Sequence, residues 1–178
     1  MRATRRQVLA GAGAALIGAR SADAAPTGDE KRKQAQSDLT AALRIEQTCV
    51  VAYEAVANSG KLAARATALM RSLLDDDREH ATQLVMALEA QGVHPPIPPR
   101  RAAIGGLEMV SDEDSAARFA IGLEERAVGA YLKAIRNLSD PNELRTVAGA
   151  MGNDGQHLVV LRQAIGETPV PNAFERGV

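Results

Sequence analysis

The chain has 178 residues and a formal net charge of −1 at pH 7, enough length for one domain with a proper core and no basic surplus of the kind nucleic-acid binding needs. Ala, Leu and Val supply most of the apolar residues, Trp is absent, and Tyr and Phe occur twice each, a composition that favours helices over sheet. The single cysteine, Cys49, excludes an intramolecular disulfide.

Residues 1–24 read as an export signal rather than as part of the fold. Arg5-Arg6 precedes a modest Gly/Ala-rich apolar stretch from Val8 to Gly18, and Ala22-Asp23-Ala24 supplies a small-x-small cleavage site. The arginine pair and the weak apolar stretch point to the twin-arginine export machinery, and hence to a periplasmic or extracellular protein. The apolar run is too short for a permanent membrane span, and no Cys stands at the cleavage site to carry a lipid. These residues hold four Arg and one Asp, so their removal takes the net charge from −1 to −4. Residues 25–36 are polar and mixed in charge, and are expected to form a flexible lead-in.

An all-α domain is predicted over 37–166. Ser37 is the expected N-cap of a first helix over about 37–58, with the inward stripe Leu39, Leu43, Glu46, Val50, Tyr53 and Ala57. Asn58-Ser59-Gly60 breaks it. A second helix over about 62–91 carries Ala66, Leu69, Leu73, Asp77, His80, Leu84 and Leu88 inward, and Gly92 stops it. The Pro-rich segment that begins His94-Pro95-Pro96 cannot start as a helix and should run extended along the surface; His94 is a loop residue. Ser111 with Asp114 is the expected cap of a third helix, whose stripe is Ala117, Ile121, Glu124, Val128, Tyr131, Ile135 and Leu138. Asp140-Pro141 caps a fourth, with Leu144, Val147, Met151, Asp154, His157, Leu161 and Ile165 inward and Gly166 at its end. Residues 167–178 form a C-terminal tail. Short, long and short links predict an antiparallel four-helix bundle with one long crossover between helices 2 and 3.

The chain repeats itself. Ile45-Glu46-Gln47-Thr48-Cys49-Val50-Val51-Ala52-Tyr53 matches Leu123-Glu124-Glu125-Arg126-Ala127-Val128-Gly129-Ala130-Tyr131, and Asp77-Arg78-Glu79-His80 matches Asp154-Gly155-Gln156-His157. Each half therefore offers one Glu and one Asp-x-x-His on a core-facing stripe. Glu79 and Glu125 lie about 100° off those stripes and should be solvated. An unpaired buried carboxylate costs several kcal/mol, so six ionisable groups in one core need a counter-charge. Two divalent cations would supply it, with Glu46, Asp77, His80, Glu124, Asp154 and His157 as ligands; the i, i+3 spacing brings Asp and His to one metal from one helical turn. Singly, each piece is a weak motif; the duplication in register carries the signal. Tyr53 and Tyr131, two turns beyond each Glu, leave two readings open: a hydrogen bond or redox-active phenol beside the metals, or core packing with the hydroxyl reaching a partner. Cys49 reads more simply as a small buried apolar residue.

With these motifs and the closing Pro169-x-Pro171-Asn172-Ala173-Phe174-Glu175, residues 37–178 resemble the ferritin-like superfamily, especially its small exported bacterial members. That superfamily carries Glu on the first and third helices and Glu-x-x-His on the second and fourth. The resemblance implies Glu46 and Glu124 as terminal ligands, His80 and His157 on one metal each, and Asp77 and Asp154 as bridges. Asp stands at both bridging positions where the superfamily mostly has Glu, and its reach is roughly 1.5 Å shorter; helices 2 and 4 must approach or the bridge opens. Gly152, Asn153 and Gly155 around Asp154 point to close helix contact, a local bulge or a decaying site.

The expected function is that of a di-metal carboxylate protein, iron foremost and manganese second, with O2 or H2O2 as the small oxidant. Ferrous oxidation, peroxide consumption and oxidation of an organic substrate are equally compatible with the residues, so an oxidoreductase is expected without a named substrate. A homodimer is compatible with the resemblance. The competing readings are a metal-free helical interaction module of the cell envelope and a metal buffer without turnover.

Overall fold

The computed structural model describes residues 27–178, so the export-signal reading of residues 1–24 lies outside them. Four long helices, α1 (Gly28–Ala57), α2 (Ala64–Ala90), α3 (Glu113–Asn137) and α4 (Pro141–Ala164), form an all-helical bundle without strands among the described residues. α1 packs along α2 and α3, α3 also packs along α4, and α2 meets α4 only sparsely. Short links join α1 to α2 and α3 to α4, so each pair runs antiparallel. None of these helices is long and apolar enough to cross a membrane.

The first helix begins nine residues before the expected Ser37, so 28–36 is not a loose lead-in. Thr27 and Glu30 close a reciprocal capping box, and the run Glu30 to Gln36 consists of strong helix formers. Ala35 is buried, and Gln36 Nε2 donates to Gln91 O at 3.5 Å. Polarity there marks the solvent face of a helix. On the next turns Cys49 rather than Val50 is fully buried, because the apolar face is wider than a single stripe.

The third helix is capped by Asp112, one residue after the expected Ser111, in a box with Ser115. Asp140 caps α4 ahead of Pro141 as predicted. Gly92 and Gly166, each at φ 72°, follow α2 and α4 in the left-handed conformation that terminates helices.

The crossover runs without regular structure through the prolines and then makes two 3-10 turns, Arg101–Ala103 and Leu107–Met109. Its proline-rich part stays at the surface, but Ile104, Leu107 and Val110 turn inward and join the core. Gln47 Nε2 pins the crossover by donating to Pro96 O at 2.7 Å. The core has two apolar bodies. One contains Cys49, Tyr53, Leu73, Leu74, Leu123 and Leu161, the other Leu39, Leu43, Leu84, Leu88, Tyr131 and Val147. On every helix the change from one body to the other falls at the predicted Glu or Asp-x-x-His.

Candidate metal centre

Glu46 lies three residues from both Leu43 and Cys49, on the face that turns both inward. Asp77 and His80 fill the two turns between Leu73 and Leu84. Glu124 follows Leu123 on α3, and Asp154 and His157 lie between Ala150 and Leu161 on α4. The helical period therefore leaves these polar side chains no exit to solvent. Glu46, Asp77, Glu124, Asp154 and His157 are each at most 4% exposed, and the His80 side chain is 12% exposed. All six residues form one layer across the bundle. Glu79 is exposed, while Glu125 is partly buried and paired with Arg162 at 3.1 Å.

Asp77, Glu124, Asp154 and His157 each offer a donor atom within 4.8 Å of the others, and so do Glu46, Asp77 and His80; Asp77 belongs to both groups. His80 Nδ1 lies 3.4 Å from Asp154 Oδ1, 3.6 Å from Glu46 Oε2 and 3.8 Å from Asp77 Oδ1. His157 Nδ1 lies 3.3 Å from Glu124 Oε1, 3.7 Å from Asp77 Oδ1 and 4.0 Å from Asp154 Oδ1. The two rings stack with centroids 6.3 Å apart. Each aspartate approaches the histidine of the other half, so the shorter side chain spans the gap between α2 and α4. Gly152 and Gly155 have no part in that approach. A side-chain carbon at either would meet nothing within 4 Å, and α4 runs through them as unbroken α-helix.

Tyr53 Oη donates to Glu124 Oε1 and Tyr131 Oη to Glu46 Oε1, each at 2.7 Å. The tyrosines cross over, each half holding the glutamate of the other. The hydrogen-bond and core-packing readings of these residues thus describe one arrangement: a ring wholly inside the core, with its hydroxyl on a site carboxylate. Asp76 is the site residue that motif reading misses. Its Oδ2 lies 3.2 Å from His157 Nε2, yet in the sequence it is one member of an acidic run, and Asn153 stands at its repeat position.

Crowding of carboxylates governs the protonation of the layer. Burial, then the charges of Glu46 and Glu124, pushes Asp154 up to about 10. Burial, then Glu124, Glu46 and Asp154, holds Asp77 well above the ordinary carboxylate range. Burial opposes the His157 imidazolium, but Glu124 and then Asp76 outweigh it and raise its pKa. Burial first, and the neighbouring carboxylates next, push the Tyr53, Tyr131 and Cys49 protons up as well.

The donor set suits a metal ion. Glu46 Oε2, both oxygens of Asp77, both of Asp154 and Nδ1 of His80 are buried without a hydrogen-bond partner. Buried polar atoms are almost always satisfied, and here the unsatisfied ones converge from three helices. Carboxylate oxygen with imidazole nitrogen is the ligand chemistry of divalent first-row ions.

A family model for the ferritin-like domain matches residues 34–167. Among solved structures, the crystal structure of a conserved hypothetical protein from Mycobacterium tuberculosis matches with a TM-score of 0.67 at 20% identity, covering 81% of this chain and 99% of that one; at that identity the likeness shows the fold alone. No curated protein matches the chain.

Proposed function

The chain belongs to the ferritin-like domain family, and we propose that it holds two divalent metal ions, iron foremost and manganese second, for redox chemistry with O2 or H2O2. The observation that carries this reading is the layer of four carboxylates and two imidazoles in which buried oxygens of Glu46, Asp77 and Asp154 have no hydrogen-bond partner in the protein. Two divalent charges would balance four carboxylates, which a single ion would not. Glu46 and Glu124 would be the terminal ligands, His80 and His157 would take one ion each, and Asp77 and Asp154 would lie between.

Bound iron would supply the one-electron changes that reduction of O2 or H2O2 requires. The protein's own part is positional. Tyr131 holds Glu46 by Oε1 and leaves Oε2 for the site, and Tyr53 fixes Glu124 by Oε1, the oxygen that also faces His157 Nδ1. Asp77 and Asp154 keep protons in the metal-free layer, and metal binding would displace them. A surface cavity lined by residues such as Leu62, Met70, Ala117 and Ile165 includes none of the six. Deep burial of the layer favours an oxidant of one or two heavy atoms over an organic substrate.

Residues 1–24 are proposed to direct export by the twin-arginine route, which carries folded proteins and would suit a protein loaded with metal beforehand. A reporter fused behind residues 1–24 should appear outside the cytoplasm, and Arg5→Lys/Arg6→Lys should retain it.

Metal analysis of the protein beside His80→Ala/His157→Ala tests the central reading. Two Fe or Mn per chain, lost in the double variant, supports it; Fe(II)-dependent O2 or H2O2 consumption then separates turnover from buffering. Protein that neither contains metal nor takes up anaerobic Fe(II) or Mn(II) would sink it.

A further inference from the structure

Beyond the six repeated residues, the two halves of the layer are not equivalent. On one side, Asp76 approaches His157 from outside, Oδ2 to Nε2 at 3.2 Å, while Nδ1 of the same ring faces the layer. A histidine that gives its outer N–H to a carboxylate is fixed in orientation and tautomer, and its inner nitrogen becomes a better ligand. On the other side, His80 Nδ1 faces the layer, but no protein group among the described residues holds its outer nitrogen. The repeat explains why. Asp76-Asp77 in the first half corresponds to Asn153-Asp154 in the second, so the position that repeats Asp76 carries an uncharged amide, with a buried and unpartnered Oδ1. Each inner nitrogen faces three carboxylates within 4.0 Å, but the closely grouped donors number four with His157 included and three with His80 included.

We infer that the two metal positions are unequal, the one at His157 filling first and binding more tightly, and that Asp76 is the positioning residue responsible. The inference rests on the dinuclear reading. Asp76 touches no other member of the layer by hydrogen bond, and its side chain is 48% exposed. Its replacement therefore leaves the packed core alone. The asymmetry gives an order of loading: the His157 position is the resident one, and the His80 position, with the more exposed ring, completes the pair.

Stepwise anaerobic titration of the metal-free protein with Co(II), followed by visible absorption and equilibrium dialysis, tests this directly. The protein should show two steps whose affinities differ by about 10-fold or more, the first abolished by His157→Ala and retained in His80→Ala. Asp76→Asn should weaken the first step by about 10–100-fold, the range for loss of an outer partner of a ligating histidine, shift its Co(II) absorption bands and leave the metal-free protein folded with a cooperative thermal transition. Asp76→Glu should restore both affinity and spectrum. Two indistinguishable steps in the unaltered protein, or an Asp76→Asn protein with its first step intact, would overturn the inference while leaving the dinuclear site standing. No Co(II) uptake at all would remove both. A single step lost in His157→Ala and kept in His80→Ala would uphold the inequality and remove the two-ion count.

Discussion

α1 and α3 place Glu46 and Glu124 in the same buried layer, each held by a tyrosine of the other helix, yet the residues that follow them do unlike work. Gln47, itself buried, holds the crossover at Pro96, whereas Glu125 pairs with Arg162, which also binds Glu175 in the tail at 2.8 Å. α2 and α4 differ in the same way. Asp77 and Asp154 coincide in burial and each approaches the histidine of the other half, and their neighbours Asp76 and Asn153 do not coincide. Inside the layer every charge must be met by another group at short range, which holds the two halves to one pattern. One position away the side chains no longer share that layer, and the halves diverge.

The largest effect should come from the residue that both ligand groups share. Asp77→Asn should abolish both metal-binding steps, whereas Glu46→Gln should remove chiefly the weaker one and Glu124→Gln the tighter one. Dialysis against Co(II) checks all three, and selective loss in Asp77→Asn would break the picture of a shared carboxylate. The metal-free Asp77→Asn protein should melt no lower than the parent near pH 7, because the carboxyl it replaces is held protonated by burial and its neighbours.

The second effect is on pH. Asp154 ionises at 3.8 when unfolded and at about 10 when folded. Between those values the folded state binds more protons than the unfolded one, so stability is full below 3.8 and is lost as pH rises towards 10. Asp77 acts in the same direction. Thermal melts of metal-free protein should fall steadily from pH 5 to 9 on this account. Metal-loaded protein should lack that fall, since its carboxylates are already deprotonated and metal competes better with fewer protons.

The tyrosines sharpen the comparison by being equal. Tyr53→Phe and Tyr131→Phe should each cost about 1–3 kcal/mol in chemical unfolding, the usual range for removing a buried partner of a carboxylate. A large difference between them would show that the halves diverge inside the layer as well as outside it. The smallest effect should be that of Gln47→Ala, about 1 kcal/mol for one side-chain to backbone bond, with both metal-binding steps unchanged.

Much of this was legible in the sequence because the informative positions interrupt a periodic pattern. Glu46, Asp77, His80, Glu124, Asp154 and His157 fall where apolar residues belong, and they do so twice. Polar residues on outer faces carry no such signal. Lys31 to Gln34 read as a loose lead-in and are helical; Asp112 rather than its neighbour Ser111 caps α3; and the later crossover, read as surface, sends Ile104, Leu107 and Val110 into the core.

The sequence by itself determined the helices, their pairing through short links, and the identity of the six inward polar groups, because period and spacing are properties of neighbouring residues along one chain. Only the tertiary structure decided that Tyr53 serves Glu124 and Tyr131 serves Glu46, that Asp77 stands in both ligand groups, and that Asp76 reaches His157 across 81 positions of sequence. Those contacts depend on how the helices are rotated and set in height against one another. That choice is made by packing two apolar bodies above and below a charged layer, and no local pattern records it.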